Sequence, residues 1–177
     1  MADEGKRRMD RILRPDYLQG LESLPLEQIR ERRDECLAER EYLSLLRRQV
    51  QGRAEILKAE IERRSGGEVD SQPLIERLSS ILAPESTHVP SRGEALRVAL
   101  PEEEMLNARR RAERLVSDTG LSDPSALNDD QLAQAVETLV AEELEVSEKR
   151  AAVIAAHDRL QEELKRRYKQ DISQVLS

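Results

Sequence analysis

The chain has 177 residues, a formal net charge of -7 and no Phe or Trp, and 37% of its residues are charged. This length suits one ordinary domain, while the missing aromatic residues exclude a thick aromatic core. The 38% of residues that are hydrophobic lie among Glu, Arg, Lys and Gln, so the composition favours long, thin helix pairs. The acidic charge argues against broad attraction to DNA or to anionic membranes.

The cysteine content and the first residues bear on the compartment. Cys36 is the single cysteine, which excludes an internal disulfide and a multi-cysteine zinc site, and we expect it in a small apolar slot of a helix. The charged start of the chain lacks the apolar run of a signal peptide, and no stretch approaches the roughly 18 apolar residues of a membrane span. We therefore expect a cytoplasmic protein without membrane contact.

The first half of the sequence predicts a polar lead followed by a long helix. Residues 1–22 are polar and contain Pro15 and Gly20, so we expect a partly disordered lead. Residues 23–65 carry a helical pattern of apolar positions that no proline interrupts after Pro25. This segment is the first predicted long helix.

The connection that follows, residues 66–126, predicts shorter helices and a linker. An apolar pattern from Leu74 to Leu82 predicts one short helix, and Pro101 with the acids behind it marks the start of another. Between them, residues 85–93 have the Pro, Ser and Gly content of a flexible linker.

Residues 127–177 predict a second long helix. Asn128 suits the residue before a helix, and apolar positions then recur at helical spacing from Leu132 to Leu164. No segment shows the pattern of a strand. The predicted fold class is therefore all-α, with two long helices and shorter helices between them.

The two long helices look like copies of each other, because they align without a gap at an offset of 103 residues. The identical pairs are Leu24/Leu127, Gln28/Gln131, Ala38/Ala141, Glu39/Glu142, Ser44/Ser147, Arg47/Arg150, Val50/Val153, Leu57/Leu160, Glu60/Glu163, Arg63/Arg166 and Arg64/Arg167. Helices of this composition often match by chance at Leu, Glu, Arg and Ala. The polar pairs Ser44/Ser147 and Arg47/Arg150 therefore carry most of the argument.

Each copy places a polar stripe beside an apolar seam. At about 100° per residue, the apolar seam of the first helix consists of Leu43, Leu46, Val50, Ala54, Leu57 and Ile61. The polar stripe beside it is the first copy, formed by Arg40, Ser44, Arg47, Gln51 and Glu55. The second copy is formed by Glu143, Ser147, Arg150, Ile154 and Asp158. Each helix thus presents a hydroxyl, a guanidinium and a carboxylate together.

This combination of side chains suits a guanine nucleotide. Arginine can bind a phosphate or the O6/N7 edge of guanine through two hydrogen bonds, and a carboxylate can accept hydrogen bonds from the N–H groups of the base. Arginine can also stack on a purine where aromatic side chains are missing. If the helices pair antiparallel, an approximate twofold relates the copies, which suits a twofold-symmetric ligand such as a cyclic dinucleotide.

The polar stripe resembles the cyclic di-GMP motif of the RsiG family of anti-sigma factors from actinobacteria. That motif reads Glu, three residues, Ser, two residues, Arg, three residues, Gln, three residues, Asp. The second copy matches it at Glu143, Ser147, Arg150 and Asp158, with Ile154 in place of Gln. The first copy matches it at Ser44, Arg47 and Gln51, with Glu55 in place of Asp and Arg40 in place of Glu. The resemblance covers both long helices.

The resemblance implies an antiparallel coiled-coil hairpin of the two long helices, with the shorter helices in the connection. It also implies that cyclic di-GMP, as a dimer, binds the flank formed by both copies and acts as a regulatory ligand. The loaded protein would then sequester a sporulation sigma factor of the WhiG type and repress its transcription. We expect the two copies to differ in their contacts at Arg40 and Ile154.

The same residues admit other interpretations. A solvated helix flank with ordinary ion pairs would also explain the polar stripe, so the alternative function is a nucleotide-independent coiled-coil adaptor or assembly protein. His88 and His157 lack metal-ligand spacing, and we expect a surface or packing role for each, with no metal bound. The sequence has no phosphate-cradling loop, no nucleophile paired with a base and no recognition helix, which argues against an enzyme and against direct nucleic-acid binding.

Overall fold

A computed structural model of the chain describes residues 4–66, 71–83, 101–118 and 124–175. Within these ranges the structure is helical and contains no strand, which confirms the predicted all-α class. The helices are α1 (Glu4–Ile12), α2 (Leu26–Arg64), α3 (Ser71–Leu82), α4 (Glu102–Asp118) and α5 (Asp129–Val175). Short 3-10 helices at Leu21–Ser23 and Pro124–Ala126 precede the two long helices.

The long helices begin where the local backbone chemistry starts them. Pro25 has an extended backbone, with a ψ of 144°, so α2 begins at Leu26 rather than at residue 23. Before α5, the Asn128 side chain accepts a hydrogen bond from the Gln131 amide at 2.8 Å, and the Gln131 side chain accepts one from the Asn128 amide at 3.0 Å. This reciprocal pair is a capping box, which satisfies two backbone donors at the start of the helix. The linker predicted at 85–93 lies outside the described residues.

The two long helices lie side by side and run in opposite directions. Arg30, near the start of α2, donates a hydrogen bond to Tyr168 near the end of α5 at 2.8 Å. At the other end of the pair, Arg64 contacts Asp129 at 3.0 Å. Because the contact partners on α5 have falling numbers as those on α2 rise, the pairing is antiparallel.

Buried side chains that recur every seven residues line the contact between α2 and α5. They are Ile29, Cys36, Leu43, Val50 and Leu57 on α2 and Leu132, Leu139, Val146, Val153 and Leu160 on α5, each at most 2% exposed. Seven residues make two helical turns, so each helix keeps one apolar line turned towards its partner. All five pairs stand at the 103-residue offset, so the repeat found in the sequence is also a repeat of buried positions.

Residues 1–22, which the sequence predicts to be a polar, partly disordered lead, contain α1 and add to the core. Met9, Ile12 and Tyr17 are buried. The Tyr17 hydroxyl donates a hydrogen bond to the Arg32 carbonyl at 3.0 Å. These contacts attach the start of the described chain to α2.

Ion pairs attach α1 and α4 to the long helices on the flank opposite the polar stripe. Arg8 of α1 contacts Glu39 of α2 at 2.7 Å and Glu104 of α4 at 2.8 Å. Arg111 of α4 contacts Glu142 of α5 at 2.9 Å. Glu39 is only 1% exposed, and burial raises the pKa of its carboxyl while the hydrogen bond from Arg8 opposes that shift. The side of the pair that carries Glu39 is therefore covered.

Cys36 occupies the apolar slot that the sequence predicts. Its side chain is fully buried in the line between α2 and α5, and its sulfur lies 3.8 Å from the Tyr17 hydroxyl. Burial raises the pKa of the Cys36 thiol to about 11, because the thiolate would lose its hydration. The thiol is therefore neutral and shielded in the folded protein.

We expect Cys36 to resist alkylation by iodoacetamide near pH 8, since the thiolate is the reactive species and both its access and its population are low. The measurement is the labelled fraction over time by mass spectrometry, with the chain unfolded in urea as the control. Labelling of the native protein as fast as that of the unfolded chain would contradict this account of the core.

Candidate functional site

The centre of the polar stripe is a cross-helix contact between the two copies. Arg150 Nε of the second copy donates a hydrogen bond to Ser44 Oγ of the first copy at 2.8 Å. Ser44 in turn donates to the Arg40 carbonyl at 2.8 Å, and the residue is only 4% exposed. The sequence-predicted residues Ser44 and Arg150, which are 106 positions apart, therefore meet in the folded chain.

A second cross-helix group forms around Glu143 of α5. Its Oε1 accepts hydrogen bonds from Gln51 Nε2 at 2.9 Å and from Ser147 Oγ at 3.0 Å. Arg47 NH1 lies 3.6 Å from the same oxygen. Glu143 and Arg47 are each about one quarter exposed, so this group is open to solvent on one side.

The two groups occupy positions related by an approximate twofold, but their contacts differ. In an antiparallel pair, the symmetry counterpart of the contact between Arg150 and Ser44 is a contact between Arg47 and Ser147. The structure instead has Ser147 donating to Glu143, beside which Arg47 also lies.

The motif departures account for this difference. The counterpart of Glu143 is Arg40, whose side chain cannot accept a hydrogen bond and is paired with its neighbour Glu41 at 2.9 Å. The counterpart of Gln51 is the apolar Ile154. At the symmetry-related place, Arg40 and Ile154 cannot form a polar group like the one around Glu143. The two copies therefore differ at the positions where their sequences depart from the motif.

The carboxylates at the ends of the two copies lie in different surroundings. Glu55 is 16% exposed, and its oxygens face Lys58 at 2.8 Å and Arg77 of α3 at 3.5 Å. Asp158 is 65% exposed, and one of its oxygens lies 3.1 Å from His157 Nδ1. His157 itself is buried, in line with its predicted packing role.

Outside the polar stripe, the outermost pairs of the repeat make matching contacts that hold the helix pair closed at both ends. Arg64 donates to the Leu127 carbonyl at 2.6 Å, and Arg167 donates to the Leu24 carbonyl at 2.6 Å. Arg167 also donates to the Leu21 carbonyl at 2.5 Å, as Arg64 does to the Pro124 carbonyl at 3.1 Å. The two arginines are 103 residues apart, and so are the two residues of each matching pair of carbonyls. The duplication therefore extends beyond the polar stripe.

Each of these arginines is fixed by a glutamate of its own helix. Glu60 accepts hydrogen bonds from Arg63 and Arg64, and Glu163 accepts them from Arg166 and Arg167. These hydrogen bonds hold the pKa of Glu60 and of Glu163 at about 2, because a guanidinium favours the ionised carboxylate. The sequence identified these residues as repeats but not their role.

We expect Arg167→Ala to lower the free energy of unfolding by about 1 to 3 kcal/mol, because it removes the donors to two main-chain carbonyls. Urea unfolding followed by circular dichroism measures the loss. Arg166→Ala is the matched control, since Arg166 contacts the same Glu163 but donates to neither carbonyl, and its loss should be much smaller. Equal losses in the two variants would contradict the proposed closure of the helix ends.

Sequence reasoning missed Arg77 and the packing of α3. The signal that points to them is Gly52, a glycine inside a 39-residue helix. A glycine at such a position destabilises a helix by about 1 kcal/mol relative to alanine, so it often marks the close approach of another element. Here a Cβ built on Gly52 would lie 3.5 Å from Leu82 of α3.

Most side chains of the polar stripe are partly exposed along the flank of the helix pair. Two open clefts of about 550 and 430 Å³ lie elsewhere, beside Arg166 and beside Arg14, and none of the predicted ligand residues lines them. In the described part of the chain, no group of three or more His, Cys, Asp or Glu side chains is arranged to hold a metal ion. The stripe offers guanidinium donors, hydroxyls and carboxylates at short range, which suits a polar, anionic ligand that lies along the helices.

Comparison with known proteins supports the resemblance seen in the sequence. Residues 15–82 match the model of a protein family described as RsiG-like. This segment contains the first copy on α2 and the whole of α3. No curated protein matches the chain, and no described helix is both long and apolar enough to cross a membrane.

Proposed function

We propose that this chain, an RsiG-type protein by the match of residues 15–82, is an anti-sigma factor controlled by cyclic di-GMP. The nucleotide binds as a dimer on the polar stripes of α2 and α5, arranged as an antiparallel coiled-coil hairpin. In this loaded form the protein sequesters a sporulation sigma factor of the WhiG type and represses its transcription. The proposed setting is the cytoplasm, without a metal and without direct contact to nucleic acid.

The observation that carries this proposal is the convergence of both copies on one flank of the helix pair. There Ser44 of α2 contacts Arg150 of α5, and Arg47 and Gln51 of α2 lie beside Glu143 of α5. Ser147 joins this group through its hydrogen bond to Glu143 on the same helix. Side chains 92 to 106 positions apart are brought within hydrogen-bond distance. A flank of ordinary solvated ion pairs does not require six motif positions to meet in this way.

The chemistry of these groups fits a guanine dinucleotide. The two arginines supply charge-assisted, two-pronged donors for phosphate or for the O6/N7 edge of guanine, and the carboxylates accept from the N–H groups of the base. The two copies are related by an approximate twofold, which suits a ligand that has twofold symmetry itself.

The existing hydrogen bonds hold these groups in place before a ligand binds. Ser44 is buried and orients Arg150, while Glu143 gathers Gln51 and Ser147. Groups that already have defined positions lose less conformational freedom when a ligand binds. The nucleotide then replaces individual hydrogen bonds among side chains that already hold their positions.

The surface next to the stripe supports a protein partner. Val140 and Leu144 are 48% and 59% exposed on α5, and each stands three residues before a member of the second copy, Glu143 or Ser147. Residues three apart are neighbours on a helix surface. A partner seated on this apolar patch would touch a nucleotide on the stripe, so by linkage each would strengthen the binding of the other.

We expect isothermal titration of the protein with cyclic di-GMP to show two nucleotides per chain. Arg47→Ala and Arg150→Ala should each weaken binding by about 1.5 to 3 kcal/mol, the range for a charge-assisted hydrogen bond. Arg63→Ala is the control, since Arg63 contacts only Glu60 in the described contacts and lies outside the stripe. Thermal melting checks that Arg150→Ala, which leaves buried Ser44 without its cross-helix donor, remains folded.

Unchanged affinity in both arginine variants would place the ligand elsewhere. No binding at high micromolar nucleotide would contradict nucleotide control altogether.

We expect capture of a WhiG-type sigma factor by the immobilised chain to require cyclic di-GMP. The measurement is a pull-down with and without nucleotide, with Arg47→Ala as the control that should lose capture at limiting nucleotide. Equal capture in both lanes would support the alternative function, a nucleotide-independent coiled-coil adaptor or assembly protein, which the exposed Val140 and Leu144 also favour.

A further inference from the structure

Helix α3 breaks the approximate twofold of the molecule, because it packs on only one of the two copies. Gly52 and Ala59 of α2 are buried, and Leu82 of α3 lies against Gly52. The repeat counterparts on α5 are Ala155 and Glu162, and both are exposed. The first copy of the repeat thus carries small, buried residues at both positions, while the second copy carries a larger, exposed residue at each.

This packing brings a cation to the carboxylate end of the first copy. Arg77 of α3 lies 3.5 Å from Glu55 Oε2, and its other terminal nitrogen lies 3.5 Å from Glu62. Lys58 holds the other oxygen of Glu55 at 2.8 Å. Both oxygens of Glu55 therefore face a cation.

The carboxylate of the second copy has no such cover. Asp158 is 65% exposed, whereas Glu55 is 16% exposed. The described contacts place His157 beside one of its oxygens and bring no arginine or lysine to it. The two acids occupy equivalent motif positions, but Asp158 is far more accessible to a ligand.

We propose that Arg77 is a positioning residue that makes the two copies unequal: it holds Glu55 in an ion pair, so that a guanine base engages Asp158 before Glu55. This inference rests on the proposed binding of cyclic di-GMP and deepens it. A carboxylate that accepts from the N–H groups of guanine turns its oxygens to the base. Glu55 does so only by giving up its contact with Arg77, while Asp158 gives up no comparable ion pair.

The same ion pair couples the nucleotide to α3. Arg77 is one of the contacts that hold α3 on α2, along with the packing of Leu82 on Gly52. A ligand that draws Glu55 away from Arg77 weakens the attachment of α3. By linkage, the docking of α3 and the binding of the ligand weaken each other by the same factor. Removal of Arg77 takes away this competition and strengthens ligand binding.

The test is titration of the full chain with cyclic di-GMP, comparing wild type with Arg77→Gln. Arg77 is 41% exposed, so the ion pair is partly screened and its removal should tighten the weaker of the two binding steps roughly 2- to 5-fold. The conservative variant Arg77→Lys keeps the cation and should stay near wild type. Arg63→Gln, which removes an exposed arginine paired with Glu60, is the matched control and should also leave both steps unchanged.

A double-variant cycle separates a specific effect from a general change in α3. In a Glu55→Gln background the ion pair no longer exists, so Arg77→Gln should have no further effect on either binding step. A gain that persists in this background would overturn the proposal, because it would come from α3 rather than from the carboxylate.

Two other results would also overturn it. Weaker binding in Arg77→Gln would mean that Arg77 contacts the nucleotide, and unchanged binding would mean that the ion pair does not compete with it. These outcomes leave wild-type binding intact and so leave the proposed function standing. Failure of the wild-type chain to bind cyclic di-GMP contradicts the proposed function and this inference together.

Discussion

The apolar contact between α2 and α5 determines everything else in this structure. Its buried residues recur every seven positions on both helices, from Ile29 to Leu57 and from Leu132 to Leu160. Burying a side chain of this size stabilises a fold by about 1.5 to 3 kcal/mol, so these positions dominate the stability of a chain that has no Phe or Trp. Turning either helix by one residue, about 100°, would move these side chains out of the contact, which fixes the face that each helix presents to the other.

That alignment is also what assembles the candidate site. The polar stripe lies beside the apolar seam on each helix, so once the seams pair, Ser44 meets Arg150 and Gln51 meets Glu143. The closing contacts of Arg64 and Arg167 repeat at the two ends of the pair. The site is therefore a consequence of packing between two copies of one helical unit, and its approximate symmetry follows from the duplication.

The shorter helices remove that symmetry. Helix α4 and helix α1 cover one flank through Arg8, Glu39 and Glu104, which leaves the opposite flank for the polar stripe. Among the described residues, helix α3 packs on α2 at Gly52, on one side of the pair only. A ligand that is itself symmetric would thus meet two copies whose central contacts and whose carboxylates differ.

The sequence by itself predicted the helices after residue 22, the repeat and the residues of the stripe, because periodicity, capping and self-similarity are local properties of a chain. It placed Cys36 in an apolar slot and located the departures at Arg40 and Ile154. Only the tertiary structure decided that Glu143 gathers Gln51 and Ser147, that residues 9–17 reach the core, and that Arg77 faces Glu55. These contacts join segments far apart in the chain, and they depend on how one helix slides and rotates against another, which no local pattern records.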